Sequence, residues 1–130
     1  YNTLEINLSL EVVKLKIIFH IDEPNKWPMV LENLKNVLNN AKETNRKYEL
    51  EVLANSMAVF QLRELIARNT HLIDKIIESA EQGVVFAVCN NSLNKFNISK
   101  DELFSFCKVV PAGIIELAEK QSEGYLYIKP

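Results

Sequence analysis

The chain has 130 residues, of which 48% are hydrophobic and 25% are charged, a composition typical of one globular domain. Its 15 basic and 17 acidic residues give a net charge of -2, so no basic excess indicates nucleic-acid binding. No apolar run approaches the roughly 20 residues that cross a bilayer, and two cysteines cannot form the disulfide framework of a small secreted domain. We therefore expect a cytoplasmic protein without nucleic-acid or membrane partners.

The first twelve residues differ in pattern from the rest of the chain. They alternate between apolar and polar side chains, with the apolar series Leu4, Ile6, Leu8, Leu10 and Val12. This period of two predicts a strand at a sheet edge, either in its own sheet or in that of a neighbouring subunit. A loose arm is the alternative, and residues 1–11 lack the basic flank and continuous apolar core of a signal peptide. We expect the domain itself to span residues 13–130.

From residue 13 onward, apolar strand-like runs alternate with helical patterns. The predicted strands are 13–21, 47–54, 84–88, 108–110 and 125–128, and the predicted helices are 28–41, 59–66, 72–80, 92–96 and 114–120. Strand and helix in regular alternation are typical of a parallel sheet with helices on both faces. The sequence therefore predicts a three-layer α/β/α fold with about five mostly parallel strands.

Ligands of open α/β sheets bind beyond the carboxyl ends of the strands. This rule selects the residues at the ends of the predicted strands, namely His20 and Asp22, Asn55 and Ser56, Cys89 to Asn91, and Pro111 to Gly113. Cys89 also precedes a predicted helix, whose free N–H groups and dipole favour a thiolate, the nucleophilic form of cysteine. The alternative is that Cys89 is a small apolar residue at the end of the core.

The other candidates have structural alternatives. His20 can bond to a ligand, or it can be a structural histidine held by Asp22 or a loop carbonyl. Trp27, or Tyr127 from a neighbouring subunit, can complete a pocket. The alternative for Trp27 is that it anchors its own loop. Cys107 lies at the entrance of a strand among apolar residues and is expected to pack in the core. The sequence has no ligand pattern for a metal and no glycine-rich phosphate loop, so we expect neither a metal nor a cofactor.

With these residues placed, the chain resembles the DsrE/DsrF-like family, which includes sulfur-relay proteins. The resemblance covers about residues 14–130. It rests on four segments in matching order, which are 20–27 (HIDEPNKW), 88–93 (VCNNSL), 109–113 (VVPAG) and 124–130 (GYLYIKP).

The resemblance implies the three-layer fold, assembly into trimers or hexamers, and in some members a cysteine that carries sulfur as a persulfide. Cys89 occupies the place of that cysteine, and Ser92 matches a small residue three positions later. Where the family commonly has Arg-Gly, this chain has Phe96-Asn97. Since asparagine can adopt the left-handed conformation, we expect the turn at Asn97 to be kept.

Two functions are compatible with these features. In the first, the protein is a sulfur carrier, a possible sulfurtransferase with donor and acceptor protein partners, in which Cys89 holds the sulfur. His20 and Asn55 would then orient the donor, and the backbone N–H groups of Asn90 and Asn91 would stabilise a partly exposed thiolate. In the second, the protein is a non-catalytic oligomer that binds a small molecule or serves as a scaffold, and Cys89 is buried and inert.

Overall fold

The computed structural model describes residues 15–130, and the predicted N-terminal edge strand lies outside these residues. Within them, five parallel strands form one sheet in the order β4-β3-β2-β1-β5. The strands are β1 (Leu15–Ile21), β2 (Tyr48–Ala54), β3 (Val85–Cys89), β4 (Lys108–Val110) and β5 (Leu126–Ile128). The predicted α/β fold with a parallel sheet is confirmed.

Five α-helices and three short 3₁₀ helices connect the strands. The α-helices are α1 (Trp27–Glu43), α2 (Glu64–Asn69), α3 (Ile73–Glu81), α4 (Asn90–Lys95) and α5 (Gly113–Ser122), and the 3₁₀ helices are Pro24–Lys26, Ser56–Leu62 and Lys100–Glu102. Of the helices in residues 15–130, none has the length and apolar character of a membrane span.

The two faces of the sheet are covered unequally. On the first face, a large core joins alternate strand residues such as Phe19 and Val52 to α1, α3 and α4. On the second face, a smaller core joins Ile18 and Leu53 to Leu117 of α5. The strands β1 and β3 are thus apolar on both faces at their centres, as is typical of buried parallel strands, whereas β2 carries Glu51 on the second face.

Two boundaries differ from the predictions for physical reasons. The helix predicted over residues 59–66 is divided, because Arg63 is extended and pairs with Leu103 in an isolated antiparallel bridge. The helix predicted from Ser92 begins at Asn90 instead, since Cys89 itself is the extended N-cap residue of α4. Asn97 has φ of 54°, so the left-handed turn expected there is present.

Candidate functional site

The carboxyl ends of the strands bring the predicted residues to one edge of the sheet. His20 is in register with Leu53 of β2, and the backbone N–H of Asn55 donates to the carbonyl of Ile21 at 3.1 Å. Cys89, the last residue of β3, is in register with Val110 of β4. Asn55 therefore follows the strand that lies between those of His20 and Cys89.

Cys89 is buried but its sulfur is surrounded by hydrogen-bond donors. Its residue is 5% exposed, and the backbone N–H of Gly113 lies 3.3 Å from Sγ. Burial opposes the thiolate, but hydrogen bonds from the Ser92 side chain and from the backbone N–H groups of Ser92, Gly113 and Asn91 outweigh it, so the pKa of Cys89 lies below its ordinary value. The partial exposure expected for a reactive thiol is not found, because α5 begins directly over the sulfur.

The hydroxyl group of Ser92 is oriented toward this sulfur by a hydrogen bond from the start of the 3₁₀ helix Ser56–Leu62. Its Oγ accepts a hydrogen bond from the backbone N–H of Ser56 at 2.7 Å. With an acceptor position of the hydroxyl occupied in this way, the O–H proton remains available for the sulfur of Cys89. Ser92 is buried, so this arrangement is sheltered from competing water.

Gly113 is the residue at which two strands and α5 meet. A Cβ added there would lie 3.2 Å from Leu53 Cδ1 and 3.5 Å from the Cβ atoms of Asn55 and Cys89. The absence of a side chain lets the first N–H of α5 approach the sulfur. Proline-alanine-glycine after β4 was recognisable in the sequence as a segment at the correct edge, but its contact with Cys89 required the sheet register.

We expect Gly113→Ala to raise the pKa of Cys89, because the added methyl group, 3.2 Å from Leu53 Cδ1, shifts the start of α5 and weakens the N–H···S bond. Thiolate absorbance against pH measures this change. Ile114→Ala, at the exposed next position of the same helix, is the matched control and should leave the pKa unchanged. An unaltered thiol pKa in Gly113→Ala would contradict this reading of the N–H···S bond.

Each ring nitrogen of His20 contacts one other side chain. Its Nε2 lies 3.0 Å from Asn55 Oδ1, and its Nδ1 lies 2.6 Å from the hydroxyl of Tyr127. An imidazole that donates from Nε2 to Asn55 and accepts at Nδ1 from Tyr127 satisfies both contacts while neutral. Among residues 15–130, His20 bonds neither to Asp22 nor to a loop carbonyl, which was the structural alternative. Asp22 instead accepts from Lys129 at 2.8 Å.

Of the other predicted residues, some lie at the candidate site and one lies in the core. Tyr127 of the same chain reaches His20. Trp27 is fully buried and anchors its loop, so it lines no pocket. Asn90 and Asn91 open α4, but Asn90 is not among the main groups that shift the pKa of Cys89.

Cys107 differs from Cys89 in every respect that bears on reactivity. It packs against the large core before β4, at the opposite edge of the sheet. Burial raises the pKa of its thiol to about 12, and a backbone hydrogen bond at Phe104 offsets this only in part. The thiol of Cys89 therefore has the lower pKa of the two and forms its thiolate more readily. Among residues 15–130, no group of three metal-ligating side chains is close enough to hold an ion.

Comparisons with known proteins agree with this architecture. A solved structure titled as a protein of unknown function, MTH1491 from Methanobacterium thermoautotrophicum, superimposes with a TM-score of 0.78 at 28% identity. The match covers 90% of this chain and 100% of that one. The comparison with curated proteins gives no match. Among protein families, the DsrE/DsrF-like family matches residues 14–130. Because that match spans nearly the whole sequence, the chain belongs to the DsrE/DsrF-like family.

Proposed function

We propose that the protein is an intracellular sulfur carrier that holds sulfane sulfur as a persulfide on Cys89. The observation that carries this proposal is the set of donors around the sulfur, namely the hydroxyl of Ser92 and the N–H groups at the start of α4 and α5. Such a set stabilises an anion on sulfur, either the thiolate or the persulfide that replaces it. The sulfur-relay members of the family support the same role.

The reaction is an exchange between sulfur atoms with no net redox change. The thiolate of Cys89 attacks the outer sulfur of a donor persulfide, a new S–S bond forms on Cys89, and the S–S bond of the donor breaks. The donor leaves as a thiolate and takes a proton from solvent. An acceptor thiolate then attacks the outer sulfur on Cys89, and the Cys89 thiolate is the leaving group.

In this proposal, His20 and Asn55 orient the donor. Because Asn55 Oδ1 already accepts from His20, its amide N–H₂ group is directed away from the ring and can donate to an anionic donor molecule. Tyr127 fixes the ring of His20 from the other side. In this role the three side chains bind and position, and the donors around Cys89 stabilise the reacting sulfur.

The burial of Cys89 favours a second candidate function. A residue that is 5% exposed must become accessible before a donor can reach it, whereas a scaffold or small-molecule-binding protein needs no such step. In that case the donors around the sulfur serve only to satisfy a buried thiol. The assembly into trimers or hexamers, expected under both functions, stays a prediction.

Sulfur loading distinguishes the two functions. We expect wild-type protein incubated with a small-molecule persulfide to gain one sulfur atom in intact mass, reversibly with dithiothreitol, because the Cys89 thiolate is the favoured nucleophile. Cys89→Ser should gain none, and Cys107→Ser is the matched control that should load like the wild type. Absence of loading in folded wild-type protein, or loading that follows Cys107, would assign the protein to the second function.

A further inference from the structure

Two carboxyl side chains are buried together beneath α5, on the second face of the sheet. Glu51 of β2 is 2% exposed and Glu116 of α5 is 6% exposed. The carboxyl groups of Glu51 and Glu116 are near enough that each shifts the pKa of the other. Two carboxylates cannot hydrogen-bond unless one carries a proton, because an ionised carboxylate has no donor.

Two lysines approach the pair, but Lys120 is shared with the carboxylate of Glu123 at 3.6 Å. Lys108 Nζ lies 3.3 Å from Glu116 Oε2, whereas Lys120 Nζ is 3.9 Å from Glu51 Oε1. Glu51 Oε2 is enclosed, and no N–H or O–H donor among residues 15–130 reaches it. A proton shared between the two carboxyl groups supplies the missing donor.

The balance of interactions places this proton on Glu51. Burial, reinforced by the neighbouring Glu116, raises the pKa of Glu51 to about 8. Burial also acts on Glu116, but its hydrogen bond with Glu51 and the charges of Lys108 and Lys120 lower its pKa. The two carboxyl groups therefore titrate as one unit that holds one proton at neutral pH.

Other charged groups around the pair are engaged with each other. The hydroxyl of Tyr125 donates to Glu49 at 3.2 Å. Lys16 donates to the carbonyl of Glu123 at 3.1 Å, and Lys120 contacts the Glu123 carboxylate at 3.6 Å. The strand residues beside Glu51, Ile18 and Val85, are apolar.

The pair is linked to the candidate site through one turn of helix. Glu116 is in the first turn of α5, whose first residue, Gly113, donates its N–H to Cys89. The N–H of Glu116 itself bonds to the carbonyl of Ala112. A displacement of Glu116 from Glu51 therefore moves the backbone that covers the sulfur.

We propose that Glu51 and Glu116 are positioning residues, whose shared proton holds the start of α5 on the sheet and keeps Cys89 covered. Loss of the proton to solvent leaves two buried carboxylates that repel each other. The start of α5 then separates from β2, the N–H of Gly113 leaves the sulfur, and Cys89 becomes accessible. This inference rests on the proposed function for the purpose of that access, since a carrier must expose its sulfur to donor and acceptor.

Alkylation of Cys89 by iodoacetamide tests the proposal without any sulfur transfer, so its result is independent of the loading experiment. Rates are measured by peptide mass spectrometry from about pH 6 to about pH 9 and divided by the thiolate fraction from absorbance. As pH rises through the range in which Glu51 and Glu116 lose their shared proton, we expect the corrected wild-type rate to increase about tenfold in one step. The reason is that opening of α5 controls access to Cys89. Glu51→Gln, which keeps a donor in place at every pH, should abolish the step.

Glu119→Gln is the matched control, because it makes the same carboxyl-to-amide change at an exposed position of α5. It should keep the step. A corrected rate that is constant with pH in the wild type, or a step that persists in Glu51→Gln, would overturn the proposal.

A second measurement covers the case in which Glu51→Gln does not fold. Hydrogen exchange of wild-type peptides across residues 111–117 should accelerate near the titration of the pair by more than the intrinsic base-catalysed rate. Peptides from α1 report exchange remote from the pair and should follow the intrinsic rate alone. Equal behaviour of the two regions would overturn the proposal.

Discussion

Trp27→Ala is expected to lower the free energy of unfolding by about 3–5 kcal/mol, the range found for large aromatic residues removed from a core. Trp27 is fully buried at the start of α1, and its ring stacks on Phe86 of β3 with centroids 6.3 Å apart. Its Nε1–H also donates to the carbonyl of Ala58 at 2.9 Å. The substitution thus opens a cavity and leaves a buried carbonyl without its donor. Urea denaturation followed by far-ultraviolet circular dichroism measures the loss.

Trp27→Phe separates the two contributions. It keeps most of the ring volume but loses the hydrogen bond to Ala58, and we expect it to cost about 1–3 kcal/mol. Met29→Ala, two residues later on an exposed position of α1, is the control and should change stability by less than about 0.5 kcal/mol. A Trp27→Ala variant as stable as this control would show that the ring is not part of a packed core.

The stability of the wild-type protein should fall as pH rises from about 5 to about 8. The pKa of Glu51 is about 8 in the folded chain against its ordinary 4.5, so in this interval the folded state binds more protons than the unfolded state. Stability therefore decreases with pH, by up to about 1.4 kcal/mol per unit. The contribution is complete below the unfolded pKa and is lost as pH passes the folded pKa. Urea midpoints at several pH values measure the slope.

Glu51→Gln should flatten this dependence, because an amide does not titrate. Asp22 and Glu102 do not contribute to the slope in this interval. Lys129 bonds to Asp22, and the backbone at Ser99 bonds to Glu102, so their pKa values are lowered and their contributions are lost only in acid. A wild-type stability that rises or stays constant between pH 5 and 8 would contradict the assignment of a proton to Glu51.

The fold was predictable because its elements are strongly patterned. The run 13–21 has a continuous apolar centre at residues 17–19, as is typical of a central parallel strand, and the observed β1 lies between β2 and β5. The carboxyl-edge rule then selected His20, Asn55 and Cys89, and the structure brings His20 and Asn55 into direct contact. The spacing of apolar residues and the alternation of strands and helices along the chain carry this information, and both are visible in one sequence.

Contacts between distant segments were not predictable in the same way. Glu51 alternates with apolar neighbours like any solvent-facing strand residue, and only the placement of α5 buries it. The approach of Gly113 to Cys89 depends on the register of β4 against β3, which no local pattern specifies. The burial of the sulfur follows from that register; it differs from the partly exposed thiol expected of a sulfur carrier and agrees with the buried thiol expected under the second function.

The position of β5 beside β1 has a consequence for synthesis on the ribosome. The strands that carry His20, Asn55 and Cys89 emerge well before residues 126–128, which pair with β1. Tyr127 and Lys129 each join partners 107 residues earlier in the chain. The nascent protein can thus pair its first four strands while the far edge of β1 is still open. The contact between His20 and Tyr127 then forms late in synthesis, when β5 pairs with the open edge of β1.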